Sequence, residues 1–435
     1  MPAMENDHPL AAARDLARFI DASPSPWHAV AECIARAQAR GFRPLEEAEP
    51  WNLQPGDARY VVRDDASIIL FRVGAAPLTE SGLRIAGAHT DSPGLRVKPH
   101  ALRRRDPWWA LDVEVYGGPI LATFTDRDLT LAGRVLVEEG GTTAQRLFHV
   151  PEPLVRIPNL PIHLNRGVNE EGLKLDRQDQ LLPLFLPVQQ GTTDPDFRTW
   201  LGERLEVAGE AVRAWDLALA DTQGARLYGP GEAFIAAPQM DNLASCHAGL
   251  EALLAAEAPE ATLVCAFFDH EEVGSESYRG AAGTFLEATV SRIAEALGCT
   301  GADLQRALAR SQVLSADMAH AYHPGSPGVY DEGHRLAVNA GPALKVNAQA
   351  RYTSDGRGRA RFEALCEAAG VPFQHYVHRN DLPCGSTIGP MVAARLGAPT
   401  LDIGTPLWGM HSLRESGGAR DQDYLLRLLG EFFRR

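Results

Sequence analysis

The stretch ATLVCAFFDHEEVGS, residues 261–275, joins an apolar run to a dense group of ionisable side chains. The run LVCAFF has the length and composition of a strand that is buried on both faces of a sheet. Asp269, His270, Glu271 and Glu272 follow it directly. Two neighbouring carboxylates repel each other, and this raises a carboxyl pKa unless a cation offsets the repulsion. The stretch therefore predicts either a cation-binding loop at the end of a buried strand or, more simply, a solvated group of charges.

Helical segments alternate with apolar strands on both sides of this stretch. Before it lie two predicted helices and two predicted strands, PLAAARDLARFIDAS, WHAVAECIARAQARGF, SIILFRVG and LRIAGAHTDS. Close to it lie a helix in MDNLASCHAGLEALLAA and a strand in VLSADMAH, and a final helix in DQDYLLRLLGEFFRR closes the chain. This alternation predicts an α/β fold in which helices flank a mixed central β-sheet on both faces.

The sequence between about 97 and 230 has the pattern of short β-strands instead of alternating helices and strands. Short alternating segments such as WWALDVEVYGGPI and LTLAGRVLVE are rich in β-formers and are separated by Gly and Pro. We therefore expect an inserted, mainly β domain at residues 97–231. The catalytic α/β domain would then be built in two parts, residues 1–96 and residues 232–435.

Composition excludes several classes of protein. The formal net charge of −14 argues against a nucleic-acid-binding surface, because neutralising phosphates requires clustered Lys and Arg. The first residues lack the basic and apolar regions of a signal peptide, and no apolar run is long enough to span a membrane. The six cysteines are scattered without a CxxC pair. Free thiols in a reducing cytoplasm are the simplest expectation.

Several acids and histidines share one position in the pattern, because each lies where an apolar segment gives way to polar residues. In open α/β sheets, ligands bind beyond the carboxyl ends of the strands, so residues that are distant in sequence meet there. A mixed set of imidazole and carboxylate ligands suits zinc, manganese or cobalt. The candidate residues are His89, Asp241, Glu271, Glu272, Asp317 and His411.

The number of candidates fits a site for two divalent metal ions. Such a pair needs one bridging carboxylate and terminal ligands on each ion. Asp241 would bridge, His89 and Asp317 would bind one ion, and Glu272 and His411 would bind the other. Each residue taken alone has a simpler explanation, since a His at a strand end is often structural and MDN could merely cap a helix.

Glu271 remains outside this ligand set. Neighbouring side chains diverge, so two adjacent Glu residues do not readily bind one ion in the same way. We therefore expect Glu272 to bind a metal and Glu271 to act on the attacking water as general base. Asp91, two residues after His89, fits as an acceptor that fixes the imidazole tautomer.

These residues lie in stretches that resemble the aspartyl aminopeptidase family, within the larger group of two-metal aminopeptidases. The matching stretches run in the family's order from residue 23 to residue 415 and so cover nearly the whole chain. They are SPSPWHAV, AGAHTDSPGLRVKP, IPNLPIHLNR, PQMDNLAS, FFDHEEVGSES, LSADMAHA, LKVNAQARY, RNDLPCGSTIGP and LDIGTPLWGMHSLRE.

The resemblance implies the same roles that ligand counting gives, with two zinc ions as cofactor and Glu271 as the base. It implies peptide substrates with an N-terminal Asp or Glu, whose side chain would face Lys345. Tyr352, which ends the same stretch, is a further candidate substrate contact. It also implies that the inserted domain forms dimers, that these dimers build a tetrahedral dodecamer, and that His163 reaches a neighbouring subunit's active site.

Other interpretations stay open at this point. From sequence alone, Lys345 is a strand-end lysine that reaches solvent, and His163 is a structural loop residue. A two-metal aminopeptidase for neutral residues would share the core but would not need Lys345. A related deacylase would recognise a carboxylate through Arg, and a metal-stabilised scaffold would leave Glu271 without a role.

Overall fold

The computed structural model describes residues 10–189 and 193–435. The first nine residues of the predicted first catalytic part, and residues 190–192 of the predicted inserted domain, lie outside the described residues. Residue contacts divide the chain into two compact units. The first contains the described residues up to Asp91 together with Ala225–Met410 and Glu415–Arg435, and the second contains Ser92–Gly224 and His411–Arg414.

The first unit is an α/β structure in which helices and strands alternate along the chain. Its helices are α1 Ala11–Asp21, α2 Pro26–Ala39, α3 Leu78–Ser81, α6 Met240–Ala255, α7 Phe285–Ala296, α8 Gly301–Arg310, α9 Gly356–Ala369, α10 Gly389–Leu396 and α11 Asp421–Arg434. Its strands are β1 Arg43–Pro44, β2 Ala58–Arg63, β3 Ser67–Arg72, β4 Leu83–His89, β11 Arg226–Tyr228, β12 Phe234–Ala237, β13 Thr262–Phe268, β14 Gln312–Ala316, β15 Ala319–His320, β16 Ala343–Val346, β17 Gln374–Val377, β18 Thr400–Gly404, β19 Pro406–Trp408 and β20 Glu415–Gly418.

Within the described residues, these strands form a nine-stranded sheet and a five-stranded sheet. The larger has the order β1-β2-β3-β13-β4-β14-β18-β16-β17. Its centre is parallel, since β4 pairs in parallel with both β13 and β14, whereas β3 is antiparallel to β13 and β16 is antiparallel to β18. The smaller sheet has the order β11-β12-β20-β19-β15. The central sheet is therefore mixed, as the sequence predicts.

The central sheet is covered on both faces, and β13 shows how the sequence achieves this. Successive side chains of a strand point to opposite faces, so a strand between two helical layers must be apolar at every position. Leu263, Cys265 and Phe267 pack in the hydrophobic core that contains α2, α6, α9 and α11. Val264, Ala266 and Phe268 pack in a second core with α3, α7, α8 and α10. The apolar run of β13 therefore contributes side chains to both hydrophobic cores.

The second unit is mainly β. Its strands are β5 Gly94–Arg105, β6 Trp108–Tyr116, β7 Leu129–Glu139, β8 Thr142–His149, β9 Leu184–Pro187 and β10 Val212–Asp221, and its helices are α4 Val168–Glu171 and α5 Phe197–Leu205. The strands pair in the order β8-β7-β10-β5-β6-β9, and every pair between them is antiparallel. Inward side chains such as Leu111, Val135 and Leu217 form its core with Phe197 and Leu201 of α5.

Across the described part of the chain, no helix combines the length and the apolar composition that a membrane span requires.

Candidate active site

Three neighbouring strands of the central sheet end at the candidate site. β4 ends at His89, and its parallel neighbour β13 ends at the register partner Phe268. On the other side of β4, β14 ends at Ala316, directly before Asp317. Parallel strands place their carboxyl ends at the same edge of a sheet, so His89, the loop after Phe268 and Asp317 are brought together there.

His89 lies at the centre of the cluster and is buried. Its Nε2 lies 3.4 Å from Oδ1 of Asp241 and 3.5 Å from Oδ1 of Asp317. Its Nδ1 lies 3.0 Å from the backbone oxygen of Asp91. A carbonyl oxygen only accepts, so Nδ1 carries a proton, and Nε2 is the ring atom that faces the two carboxylates.

These side chains fit a divalent metal ion. One ligand atom from each of His89, Asp241 and Glu272 lies within 4.8 Å of the others. A tetrahedral ion with metal–ligand distances near 2.0–2.2 Å places its ligand atoms roughly 3.3–3.6 Å apart. The separations of 3.4 and 3.5 Å between Nε2 of His89 and the two aspartate oxygens match that spacing. Imidazole and carboxylate donors without a thiolate suit zinc, manganese or cobalt.

Asp241 is held in place through its backbone. Its amide donates to Oε2 of Glu415 at 2.9 Å, and both residues are buried. The peptide bond between Asp241 and Asn242 is cis. Asn242 in turn donates from Nδ2 to the backbone oxygen of Ala316, the last residue of β14. Glu415 was not singled out from the sequence, because its link to Asp241 joins segments that are distant along the chain.

Asp317 is fixed by a close backbone approach. A Cβ atom at Gly404 of β18 would lie 1.7 Å from the backbone oxygen of Asp317, so no residue larger than glycine fits there. The amide of Asp317 donates to the backbone oxygen of Ile403 at 2.9 Å. Asp317 therefore follows β14 on a backbone that is held by the neighbouring strand.

Asp91 contacts more than the imidazole. It is fully buried, and its Oδ1 lies 3.5 Å from Nδ1 of His89, farther than its own backbone oxygen. The carboxylate accepts hydrogen bonds from the amides of Glu271 and Glu272, each at 3.1 Å. One aspartate thus links the loop after β4 to the loop after β13.

Glu271 lies beside the cluster, with Oε2 4.0 Å from Nε2 of His89. Burial raises the pKa of Glu271 well above its ordinary value, His89 opposes this, and the carboxylates of Asp317 and Glu272 add to it. A bound cation would act in the opposite direction and favour the ionised form. The same cluster raises the pKa of His89 against the effect of burial, because Asp241 and Asp317 stabilise the imidazolium.

Lys345 is buried rather than solvent-exposed. It lies in β16, its residue is 3% exposed, and its Nζ lies 3.5 Å from Oδ2 of Asp317. The ammonium also lies over the ring of Tyr352, 5.4 Å from the centroid. The interpretation of Lys345 as a strand-end lysine that reaches solvent is therefore wrong, because its ammonium contacts Asp317 and the ring of Tyr352 instead of water.

His320 lies near Lys345 and was not predicted from the sequence as a site residue. Burial, and then the positive charges of Lys345 and His378, lower the pKa of His320 to about 4. Its ring packs edge-on against Tyr376, with centroids 5.7 Å apart. The signal that could have found it is its spacing, three residues after Asp317 in SADMAH.

His163 and His411 lie in the second unit. His163 is exposed, in a segment whose apolar side chains are also exposed, with Leu160 at 59%, Ile162 at 47% and Leu164 at 73%. His411 has a left-handed backbone with φ of 68°, and its Nδ1 lies 3.2 Å from the backbone oxygen of Gly118. The metal role of His411 and the substrate role of His163 stay predictions.

A second group of acidic side chains and a histidine is paired with an arginine. Asp15, His247 and Glu251 also have ligand atoms within 4.8 Å of one another. Arg36 lies among them, and its NH1 is 2.7 Å from Oδ2 of Asp15 and 2.9 Å from Oε1 of Glu251. The guanidinium supplies the positive charge that a metal would supply, so this group is an ion-pair network.

The fold and the cluster at the ends of β4, β13 and β14 are those of an α/β metallopeptidase. Residues 19–433 match the family described as Aminopeptidase I zinc metalloprotease (M18). The probable M18 family aminopeptidase 2 of Stutzerimonas stutzeri is 44% identical over 419 residues, which cover 95% of this chain and 96% of the relative. The protein of the same name from Pseudomonas aeruginosa is 44% identical over 420 residues, with the same two coverages.

Solved structures agree with this assignment. The structure of Ape4 in complex with Nbr1 has a TM-score of 0.94 at 36% identity, covering 99% of this chain and 87% of that chain. Yeast aminopeptidase 1 has a TM-score of 0.85 at 26% identity, covering 98% and 97%. The chain belongs to the M18 family of zinc metalloproteases. The family and the fold class expected from the sequence are both confirmed.

Proposed function

We propose that the protein is a two-metal aminopeptidase that removes an N-terminal Asp or Glu from peptides. The observation that carries the acidic preference is the burial of Lys345 beside Asp317. A buried ammonium is costly unless it is paired, and Nζ lies 3.5 Å from Asp317, a proposed metal ligand, so a substrate bound at the metal would bring its first side chain close to Lys345. Only an ion pair makes rejection of neutral side chains strong.

His89, Asp241, Glu272 and Asp317 would hold the metal in the first unit, and the sequence adds His411 as a ligand of the second ion. Two ions, zinc first and manganese or cobalt as alternatives, would supply Lewis acidity at this site. His89 presents Nε2 because the Asp91 backbone holds its proton on Nδ1. Asp241 has the position for a shared ligand, since its carboxylate lies next to His89 and its backbone is fixed by Glu415.

Glu271 would move the proton. It accepts a proton from the attacking water at a carboxylate oxygen and then donates it to the nitrogen of the leaving amine. Asp91 holds the Glu271 amide and thereby the start of that side chain. Neither step needs a second acid, because the same carboxyl group serves in both directions.

The substrate's side chain would be recognised by the cluster around Lys345. Lys345 would pair with the carboxylate of an N-terminal Asp or Glu. His320, which is neutral at physiological pH because burial and Lys345 lower its pKa, would offer a hydrogen bond without adding charge. Tyr352 packs under the ammonium and forms part of the wall.

Self-association is part of the proposal. One structural relative, at 27% identity and a TM-score of 0.84, is described as the S. cerevisiae mApe1 dodecamer. Exposed Leu160, Ile162 and Leu164 beside His163 provide apolar surface that a neighbouring subunit would cover. We propose that this segment packs against a second copy and that dimers build a dodecamer.

A panel of peptides that differ only in the first residue, assayed with and without a chelator, tests the activity. We expect release of Asp and Glu, weak release of Ala or Leu, and loss of all activity with the chelator. Equal release of neutral residues would indicate an aminopeptidase of broad specificity. Hydrolysis of N-acylated substrates alone would indicate a deacylase, and absence of any hydrolysis would favour a scaffold.

A further inference from the structure

The loop that carries Glu271 and Glu272 begins with a reversal at His270. His270 has a φ of 68°, in the left-handed region that is unfavourable for a residue with a Cβ. Asp269, before the reversal, is fully buried and accepts a hydrogen bond from the His270 amide at 2.9 Å. Glu271, after it, lies next to His89. A contact elsewhere must hold His270 in this conformation.

Arg279 supplies that contact. Its NH2 lies 2.8 Å from Nε2 of His270, its NH1 lies 2.8 Å from Oδ2 of Asp64, and its Nε lies 3.4 Å from Oδ2 of Asp269. Its side chain is 11% exposed. A guanidinium has donors in one plane and no acceptor, so its two hydrogen bonds fix the directions of His270 and Asp64, while the longer contact with Asp269 contributes charge.

The contact with Arg279 also determines the tautomer of neutral His270. Because Arg279 only donates, Nε2 of His270 must accept, and the proton of the neutral ring lies on Nδ1. Nδ1 is 2.8 Å from Oγ of Ser277, which can accept it. The same hydroxyl oxygen accepts the Gly280 amide at 3.0 Å. The ring therefore links the start of the loop to its end.

Ser67 of β3 forms hydrogen bonds to both ends of the loop. It is fully buried, its Oγ accepts the amide of Asp269 at 2.9 Å, and its hydroxyl donates to the backbone oxygen of Arg279 at 2.9 Å. The two ends of the loop thus meet on one hydroxyl. On the opposite side, Asp91 accepts the amides of Glu271 and Glu272.

We propose that Arg279 is a positioning residue that acts through His270 to set where Glu271 and Glu272 lie. This rests on the proposed roles of those two residues as base and metal ligand. The competing explanation is that Arg279 only neutralises the buried carboxylates of Asp64 and Asp269. Lysine would satisfy that explanation, because it keeps the charge. Lysine does not satisfy the positioning role, because a single ammonium on a flexible chain cannot reproduce the two hydrogen bonds that the planar guanidinium donates to His270 and Asp64.

The test is Arg279→Lys, measured first by hydrogen exchange in the metal-free protein. We expect the Glu271 and Glu272 amides to exchange about tenfold faster than in the wild type, as loss of a hydrogen bond of ordinary strength implies. In the metal-loaded enzyme we expect kcat to fall about ten- to hundredfold with KM within about twofold, because the base is displaced while the substrate pocket is not.

Arg292→Lys is the matched control. Arg292 belongs to α7, donates to the backbone oxygens of Glu47 and Glu49, and lies over the ring of Trp51. Like Arg279, Arg292 makes several contacts through its guanidinium, but these contacts do not involve the loop that carries Glu271. We expect this variant to leave both the exchange of Glu271 and Glu272 and the value of kcat unchanged.

Wild-type exchange and wild-type kcat in Arg279→Lys would overturn the proposal. An equal loss of melting temperature in both variants without faster exchange at Glu271 would also overturn it, because Arg279 would then be only structural. The exchange experiment does not depend on activity. If the wild type hydrolyses no peptide, the proposed function fails while the positioning of this loop is still measured.

Discussion

At the scale of single residues, Glu271 has the sharpest test. Glu271→Gln keeps the shape of the side chain and the backbone contact with Asp91 but removes the ability to take a proton. We expect metal and peptide binding to persist while kcat falls about 10²–10⁴-fold, the usual contribution of a general base. Steady-state kinetics with metal analysis of the same preparation measures this.

The control for Glu271 is Glu276→Gln. Glu276 lies in the same loop but is exposed, so its loss of charge should leave kcat unchanged. Near-normal turnover in the Glu271 variant would remove that residue as the base.

Lys345→Met should change selectivity rather than chemistry. The side chain keeps its apolar length but loses the charge that would pair with an acidic substrate. We expect kcat/KM to fall at least about 100-fold for peptides that begin with Asp and to change little for those that begin with Ala, because the site can no longer pair the substrate's carboxylate. Exposed Lys174 provides the matched control, Lys174→Met. Parallel losses on both peptides would show that Lys345 has another role.

Four of the residues that the sequence selected in the first unit, His89, Glu271, Glu272 and Asp317, were recognisable because each lies at or just after the end of an apolar strand. Asp241 lies at the start of α6, and Lys345 was selected through the family resemblance. The contacts between these residues could not be predicted in the same way. The bond from Glu415 to Asp241 and the burial of Lys345 both depend on pairing between strands that are far apart in sequence, and no local pattern reports such pairing.

At the scale of elements, α11 begins with a buried acid. Asp421 accepts the amides of Asn339 and Gly341 at 2.6 and 3.0 Å, and burial raises the pKa of Asp421 to about 7. The folded protein therefore holds this proton more tightly than the unfolded chain. The resulting stability is fully present below pH of about 4 and is lost as the pH rises to about 7.

Asp421→Asn should remove this part of the pH dependence. We expect its free energy of unfolding to fall less steeply between pH 4 and 7 than that of the wild type, by up to about 1.4 kcal/mol per pH unit. Denaturant titrations at pH 5, 6 and 7 measure the slopes. Asp423→Asn, on the same helix but partly exposed, should keep the wild-type slope. Identical slopes in all three proteins would contradict the assignment of this pH dependence to Asp421.

Long elements were predictable and short ones were not. β13 and α6 have continuous patterns, a fully apolar run and a helical period, which identify them without knowledge of their neighbours. The smaller sheet of the first unit was not predicted. Its strands have two to four residues each, and β12, Phe234–Ala237, pairs with the distant β20, Glu415–Gly418. Such strands are defined by their partners and leave no periodic signal.

At the scale of the whole molecule, removal of divalent ions should lower stability as well as activity. Without cations, the carboxylates around His89 repel one another. A ligand present at 100 times its dissociation constant stabilises the folded state by about 2.7 kcal/mol. We expect a chelator to lower the melting temperature and abolish hydrolysis, and zinc, manganese or cobalt to restore both. Full activity after exhaustive chelation would contradict a metal mechanism.

Assembly is tested through the exposed segment that contains His163. We expect the wild type to have the mass of twelve subunits by light scattering. Leu164→Glu places a charge where an apolar neighbour is proposed and should reduce that mass. Leu382→Glu, another exposed apolar position, serves as control. A monomeric wild type would contradict the proposed dodecamer.

The placement of β4 has a consequence for synthesis of the chain. Both strands that flank it in the sheet, β13 and β14, are translated only after Ser92–Gly224, the larger segment of the second unit, has been synthesised. Nascent β4 must therefore wait with unpaired edges while a later segment of polypeptide finishes folding. We expect ribosome-bound chains that stop before residue 262 to contain a protease-resistant Ser92–Gly224 segment and a protease-sensitive β4, so that the candidate site forms last.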